Sequence, residues 1–345
     1  MITRRDALMG TAALMTAGPA FAQAAAPELA KISLGFGIDP PFAPFIVAMQ
    51  KGWFRDAGFS DVQTKSFTAG ALAGEALMSG DIQLWTPGNL PPISMAHNGA
   101  PVVVVGTNCV NWNLEKLTVR RDANVTKPED LYGIKIGLLQ GSTSSAFLYY
   151  LAKHYGLDDK KLQVVNLPPP EQLASLLSNA IQGFICWEPW PVRALQSDQA
   201  VVVHTGTTSG FAANKGERVK VSDNRSIWVV SQDFARKNPK TLQAIMGVLI
   251  KAQRYVADPK NTDEAIKLFS DFQKQDPELN RKIWDNYVFK PDFDEAYVSD
   301  MEHTAEFLLA TGRIKKHINV LDYTYSAPMA AIDPALVKVP GKWKA

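Results

Sequence analysis

Four consecutive hydroxyl side chains, Ser142-Thr143-Ser144-Ser145, follow Gln140-Gly141 and open an apolar stretch of helical character. A helix N-terminus leaves backbone N–H groups unpaired and carries partial positive charge. Glycine lets a ligand approach that backbone and the hydroxyls add donors, so the segment predicts a pocket for a small anion or a polar head group. It indicates binding without indicating a reaction. The alternative is a capped helix, because Ser and Thr are preferred N-cap residues in any protein.

A second motif, Trp187-Glu188-Pro189-Trp190, comes directly after the apolar run 184–186. Two Trp side chains at the end of a strand form an apolar wall with N–H donors. Glu188 is favourable at the start of a helix, where it either caps the helix or binds an amino group of a ligand. The alternative for each Trp alone is packing in a core.

Further polar loops follow predicted strands, at 37–42, 86–90 and 107–112, and the segment 221–226 precedes one. In the last of these, Arg225 could bind an anion through two parallel hydrogen bonds, or form a surface salt bridge. The predicted ligand-binding residues are Asp39, Phe42, Thr86, Asn89, Asn111, Trp112, Gly141, Ser142, Thr143, Ser144, Ser145, Trp187, Glu188, Trp190, Asn224 and Arg225.

Catalytic and metal-binding patterns are not found in the sequence. The histidines are scattered, and none pairs with a Cys or Ser in a catalytic arrangement. The two cysteines, Cys109 and Cys186, do not have the spacing of a metal site, and we expect two buried thiols rather than a disulfide. The sequence therefore predicts no enzyme, no metal and no cofactor.

The elements that position these motifs follow an α/β pattern. Strands and helices alternate from 31 to 105, with an apolar run at 102–105 that is typical of a buried strand. A second α/β unit runs from 126 to 204, Ile227–Val230 forms a return strand, and 239–314 is helical. We expect two lobes, 25–115 plus 227–345 and 116–226, joined by two crossover segments. Ligands of open α/β sheets bind at the carboxyl ends of strands, which is where the predicted loops lie.

The first 24 residues have the pattern of a cleaved export signal. Arg4 and Arg5 precede a short apolar run, and an A-x-A sequence ends at 22 or 24. The paired arginines favour a twin-arginine signal over an ordinary one. No Cys lies at the cleavage region, so we expect a periplasmic protein without a lipid anchor. The formal net charge of +2 and the lack of a basic cluster argue against nucleic acid as a partner.

Motifs spread over 31–234 match one family pattern. They are Lys51-Gly52-Trp53-Phe54 with Gly58, Ser79-Gly80-Asp81-Ile82, the run 127–137, Gly141-Ser142 and Trp187-Glu188-Pro189-Trp190. With these motifs the chain resembles the periplasmic solute-binding proteins of ABC importers, in the branch that binds aliphatic sulfonates, taurine, nitrate and thiamine-pyrimidine precursors. The resemblance implies a type II periplasmic binding fold, a monomer, and a membrane permease with its ATPase as partners. It also places ligand loops at Gly141–Ser145, Trp187–Trp190, Thr86–Asn89 and Asn224-Arg225.

One departure from the family bears on the ligand. The loop Ile38–Phe42 is more apolar and stiffer than a sulfonate or nitrate site implies, which favours a larger or aromatic solute. We expect a small organic anion, either an alkyl or aryl sulfonate or an aromatic acid, with Ser142–Ser145 at its head group, Arg225 neutralising it and the Trp side chains around its organic part. The alternatives are a neutral heterocycle such as a pyrimidine or flavin precursor, a sensor domain, and a pyrimidine-precursor-synthesising enzyme of the same fold. Those enzymes carry a Cys-rich motif that this chain lacks.

Overall fold

A computed structural model describes residues 26–67 and 70–345 of the 345-residue chain. The predicted export signal, 1–24, lies outside the described residues. Within them, no helix is both long enough and apolar enough to cross a lipid bilayer.

The first sheet has the strand order β2-β1-β3-β10-β4. β1 is parallel to both β2 and β3, whereas β10 runs antiparallel to β3 and β4. Its strands are β1 (Lys31–Phe36), β2 (Asp61–Ser66), β3 (Leu84–Trp85), β4 (Val102–Val110) and β10 (Arg225–Ser231). The run Val102–Val105 is buried, as its apolar composition predicts for a strand covered on both faces.

The second sheet repeats this plan in the order β7-β6-β8-β5-β9. β6 is parallel to β7 and β8, and β5 is antiparallel to its neighbours β8 and β9. Its strands are β5 (Glu115–Arg120), β6 (Lys135–Leu138), β7 (Gln163–Asn166), β8 (Gly183–Trp187) and β9 (Ala200–Thr205). The two mixed sheets with their helices confirm the predicted α/β class with two lobes.

Helices cover the sheets and form the last third of the chain. In α9 the buried residues Leu242, Ile245, Met246 and Leu249 recur at helical spacing, as predicted, and bury that face against the first lobe. The helices are α1 (Ala43–Gln50), α2 (Trp53–Asp56), α3 (Gly70–Ser79), α4 (Leu90–His97), α5 (Thr143–Tyr155), α6 (Pro169–Leu177), α7 (Trp190–Leu195), α8 (Gln232–Lys237), α9 (Pro239–Ala257), α10 (Thr262–Gln273), α11 (Pro277–Ile283), α12 (Glu295–Ala310) and α13 (Ala327–Ile332).

The chain passes from the first sheet to the second between β4 and β5 and returns between β9 and β10. The predicted loop 107–112 is wrong at 107–110, because β4 continues to Val110. Thr107 pairs with Ile227 and Val110 with Arg225, so pairing with the return strand extends β4 beyond its apolar run. The lobe boundaries at 115/116 and 226/227 stay predictions.

Both cysteines are buried free thiols, which confirms that expectation. Cys109 belongs to a small apolar cluster beside the first crossover, together with Leu114, Val192, Ile283 and Tyr287. These residues come from β4, the first crossover, α7 and the segment 283–287, so the cluster connects the two lobes.

Candidate functional site

The parallel strands of both sheets end at one cavity of about 870 Å³. The segments that follow β1, β3, β6 and β8 contribute to its wall, and the antiparallel strands β5 and β10 begin there. Ligand cavities in proteins measure about 300–1,000 Å³, so this one accommodates an organic molecule of substantial size. Its lining residues are Gly37, Ile38, Asp39, Phe42, Ser66, Phe67, Gly74, Glu75, Met78, Pro87, Gly88, Leu90, Pro91, Ser94, Met95, Leu114, Glu115, Leu139, Gln140, Gly141, Ser142, Thr143, Pro169, Pro170, Trp187, Trp190, Asn224, Ser226 and Arg313.

Most of the wall is apolar or aromatic. Phe42 stacks on Phe36, with ring centroids 5.6 Å apart and planes 21° apart, and this contact fixes one wall of the cavity. Trp187 and Trp190 line the opposite lobe's wall and are half-buried, so part of each indole is open to a ligand. The predicted placement of Phe42, Trp187 and Trp190 at the cavity agrees with the structure, while their contact with a ligand stays a prediction.

Glu115 is a cavity carboxylate that sequence reasoning missed. It is the first residue of β5, and its side chain is fully buried. The Thr143 hydroxyl donates a hydrogen bond to Oε1, Asn224 Nδ2 donates to the same oxygen at 2.8 Å, and Ser222 Oγ donates to Oε2 at 3.4 Å. Burial raises the pKa of Glu115, and these hydrogen bonds offset only part of the rise.

Asp39 lies in the loop after β1, and only 7% of its surface is exposed. Among the described residues, no side chain donates a hydrogen bond to its carboxylate. Burial raises the pKa of Asp39 to about 7, and the nearby carboxylates of Glu115 and Glu188 add to the rise. The carboxyl group therefore changes its charge near neutral pH.

The hydroxyl run forms a helix cap. Ser142 is the N-cap of α5: its Oγ accepts a hydrogen bond from Ser144 N at 3.3 Å and donates to Leu139 O at 2.7 Å. Ser145 Oγ accepts from Gly141 N at 3.2 Å, and Thr143 donates to Glu115. Gly141, Ser142 and Thr143 line the cavity. The structure does not bring Ser144 and Ser145 to the cavity lining, and Ser144 is buried under the helix.

Glu188 is also outside the cavity lining. Its buried carboxylate forms a salt bridge with Lys116 and accepts a hydrogen bond from Val192 N at 3.0 Å, within the first turn of α7. Of the two roles predicted for Glu188, the structure shows the cap. Both oxygens of Glu188 are engaged inside the second lobe, and the structure does not bring the side chain to the cavity.

Arg225 and Trp112 serve an internal ion pair instead of the cavity. Arg225 Nε donates to Asp300 Oδ2 at 2.5 Å, and only 2% of the arginine side chain is exposed. Trp112 Nε1 donates to the same oxygen at 2.9 Å, and Lys220 Nζ approaches Asp300 Oδ1 at 3.0 Å. Neither Arg225 nor Trp112 lines the cavity, and the charge that the Arg225 guanidinium neutralises in this structure is that of Asp300.

Three further predicted residues are buried anchors beside the cavity. Asn89 Nδ2 donates to Thr304 Oγ1 at 2.7 Å, and Asn111 Nδ2 donates to Ser226 Oγ at 2.6 Å. Thr86 is buried at the end of β3, and its neighbours Pro87 and Gly88 form the wall. The structure does not bring these three side chains to the cavity: Asn89 and Asn111 hold neighbouring segments, and Thr86 Oγ1 is buried without a hydrogen-bond partner among the described residues. Asn224 lines the cavity, as predicted, while donating to Glu115.

Some lining residues had a signal in the sequence and others had none. Pro169 and Pro170 follow a predicted strand, as the other loops do, and Glu115 is the polar residue that opens a strand beside the first crossover. Arg313, which follows α12, approaches the glycine turn: a Cβ on Gly141 would lie 3.4 Å from Arg313 Nη1. Nothing in the local sequence around Arg313 indicates that position.

A family model described as the NMT1-like family matches residues 25–270 of this chain. The chain is also 31% identical over 217 residues to the taurine-binding periplasmic protein of Escherichia coli, a match that covers 63% of this chain and 64% of that relative. The match therefore spans slightly less than two thirds of the relative's length.

Two solved structures have the same fold. One is the alkanesulfonate-binding protein SsuA from Xanthomonas axonopodis pv. citri bound to MOPS, with a TM-score of 0.72, 18% identity, and coverage of 87% of this chain and 99% of that one. The other is the periplasmic nitrate-binding protein NrtA from Synechocystis, with a TM-score of 0.73, 18% identity, and coverage of 92% and 91%. These likenesses confirm the predicted type II periplasmic binding fold.

Proposed function

Because this chain belongs to the NMT1-like family, we propose that it is the periplasmic solute-binding component of an ABC importer and captures a small organic solute between its two lobes. The permease and its ATPase are the proposed partners. The observation that carries the proposal is the cavity itself, which is lined from both lobes at the strand ends. Closing of two lobes around a ligand is the usual motion of this architecture.

The size and lining of the cavity support an organic solute over a bare inorganic anion. A volume of about 870 Å³ far exceeds what nitrate occupies, and the aromatic wall offers such an ion no partner. An apolar skeleton against the half-buried Trp187 and Trp190 would remove its own surface and part of theirs from water, which is favourable by roughly 25 cal/mol per Å² of apolar area.

A sulfonate or an aromatic acid is a second candidate ligand, favoured by Arg313 and by the sulfonate-related relatives. An acidic group would meet the guanidinium of Arg313 beside the Gly141 turn at the start of α5. Arg313 carries this candidate alone, because the hydroxyls of Ser142 and Thr143 already donate to Leu139 O and to Glu115.

The proposed function is tested by a thermal-shift screen of the secreted form with taurine, alkanesulfonates, MOPS, nitrate, aromatic acids and pyrimidines, followed by titration calorimetry of the compounds that stabilise it. A ligand that binds only the folded state stabilises it by RT ln(1 + [L]/Kd), about 2.7 kcal/mol at a hundredfold excess over Kd.

Trp187→Ala should weaken binding more for compounds with larger organic groups, since the indole wall is lost. Trp343→Ala is the matched control, because Trp343 packs on Tyr325 away from the cavity. If no compound binds, or if both variants lose affinity equally, the proposed site is wrong.

A further inference from the structure

The buried carboxylates of this protein fall into two groups by their partners. Glu188 pairs with Lys116, Asp300 with Arg225 and Lys220, and Asp292 and Asp294 with Lys290. Among the described residues, no Lys, Arg or His nitrogen lies within salt-bridge distance of Asp39 or Glu115. The six buried carboxylates compared are Asp39, Glu115, Glu188, Asp292, Asp294 and Asp300.

The two carboxylates without a cation are the two that line the cavity. Removing an ionised carboxylate from water is costly unless a positive charge compensates it, and neighbouring carboxylates of like charge add to the cost. Asp39 and Glu115 both line this cavity, and the charge of Glu115 contributes to the raised pKa of Asp39. A cation that enters the cavity would remove this penalty.

We propose that the ligand presents a protonated amine or amidinium group to Asp39 and Glu115, an inference that rests on the proposed solute-binding function of the cavity. Asp39 belongs to the loop after β1 in the first sheet, and Glu115 opens β5 in the second. One cationic group bonded to both carboxylates therefore joins the two lobes, and its binding energy favours the closed form.

An organic cation fits this place better than a metal ion does. Hard cations such as Ca²⁺ take 6–8 oxygen ligands, and the described residues contain no cluster of three or more His, Cys, Asp or Glu side chains suited to a metal. The indole of Trp187 instead offers cation–π contact and an apolar surface for the rest of the molecule, whereas the Arg193 guanidinium already lies 5.0 Å from the ring centroid of Trp190.

Charges elsewhere on the wall agree with this assignment. The exposed side chains of Glu75 and Arg313 are the other charged groups of the described lining, so three carboxylates face one guanidinium. A ligand that also carries an acidic group could place it near Arg313, while its amino end lies against Asp39 and Glu115.

The test uses one skeleton with different polar groups: benzylamine and benzamidine as cations, benzyl alcohol and benzamide as neutral forms, and benzoate and benzenesulfonate as anions. A parallel alkyl series includes taurine and ethanesulfonate, which differ by the amino group. Each compound is titrated into the wild type, Asp39→Asn and Glu115→Gln at pH 8. The matched control is Asp233→Asn, which removes an exposed carboxylate on α8 outside the cavity.

We expect the cationic members to bind more tightly than their neutral and anionic counterparts. Hydrogen bonds to charged groups contribute about 1.5–3 kcal/mol, so each cavity variant should lose about 10- to 150-fold in affinity for the amine and little for the alcohol. Asp233→Asn should match the wild type. If Glu115→Gln does not fold, the Asp39→Asn variant alone tests the proposal, because the Asp39 carboxylate of the wild type has no side-chain hydrogen bond to lose.

Two results would contradict the account, and they are distinguishable. If neutral or anionic members bind while the amines do not, or if Asp39→Asn binds amines as tightly as the wild type, the cation assignment is wrong and the solute-binding function stands. If no member of any series binds the wild type, the proposed function fails and the assignment fails with it.

Discussion

Asp39→Asn should stabilise the unliganded protein, and the gain should grow with pH. Burial raises the pKa of Asp39 from 3.8 to about 7 in the folded protein, with further repulsion from Glu115 and Glu188. The folded state therefore binds the proton more tightly than the unfolded chain does. Stability contributed by the protonated carboxyl is complete below about pH 4 and is lost as the pH rises to about 7. Asn carries no titrating group, so the variant does not share this loss.

The size of the effect on the unfolding free energy follows from the rise in the pKa of Asp39. One pKa unit corresponds to 1.36 kcal/mol, so a rise of about three units makes the difference in unfolding free energy between variant and wild type grow by about 4 kcal/mol from pH 4 to pH 8. Only this change with pH is assigned to the ionisation, because a buried Asn amide has its own need for hydrogen bonds.

Urea unfolding followed by Trp fluorescence, at several pH values between 4 and 8, measures the effect. The variant and the wild type should have similar m-values and midpoints that diverge as the pH rises. Asp233→Asn, which removes an exposed carboxylate, should follow the wild type at a constant offset. Parallel midpoint curves for Asp39→Asn and the wild type would refute the claim that Asp39 is ionised in a buried, uncompensated position.

Three other predictions concern the residues around the cavity. Asp300→Asn should lower the unfolding free energy by about 3–5 kcal/mol in urea titrations, because the buried Arg225 loses the carboxylate bonded to its Nε and keeps only Asp294 at 3.9 Å; a loss below 1 kcal/mol would contradict this. Ser142→Ala should cost about 1 kcal/mol through loss of the α5 cap, measured in the same way, and unchanged stability would speak against the cap. Ser144→Ala should leave ligand affinity unchanged in calorimetry, because Ser144 lies outside the cavity; a clear loss would restore it to the site.

Hydrophobic patterns in the sequence predicted the strands and helices whose burial depends on residues close together in the chain. The strand Gly183–Trp187 and the apolar stripe of α9 agree with the prediction, because apolar runs and helical spacing decide where a segment is buried. The capping role of the hydroxyl run also follows from local sequence, since Ser142 is the N-cap of α5, the helix that the run begins. A run of four hydroxyls nevertheless suggested more ligand contact than the helix geometry allows, because one turn of helix directs Ser144 into the core.

Partners distant in sequence account for the errors at the site. The local sequence around Arg225 predicts an anion-binding side chain, whereas its guanidinium binds Asp300, which lies 75 residues further along the chain. Glu115 reaches the cavity because it follows the first crossover. Arg313 reaches it because it follows α12, a helix of the C-terminal part of the chain. No spacing rule relates these positions, because tertiary packing alone brings them together.

A crystal structure with the tightest solute from the screens tests the central claim most directly. We expect the solute to be enclosed between the lobes, with contacts to Phe42 and Asp39 from the first lobe and to Glu115 and Trp187 from the second. A solute seated on the outer face of one lobe, with this cavity left open, would contradict the account.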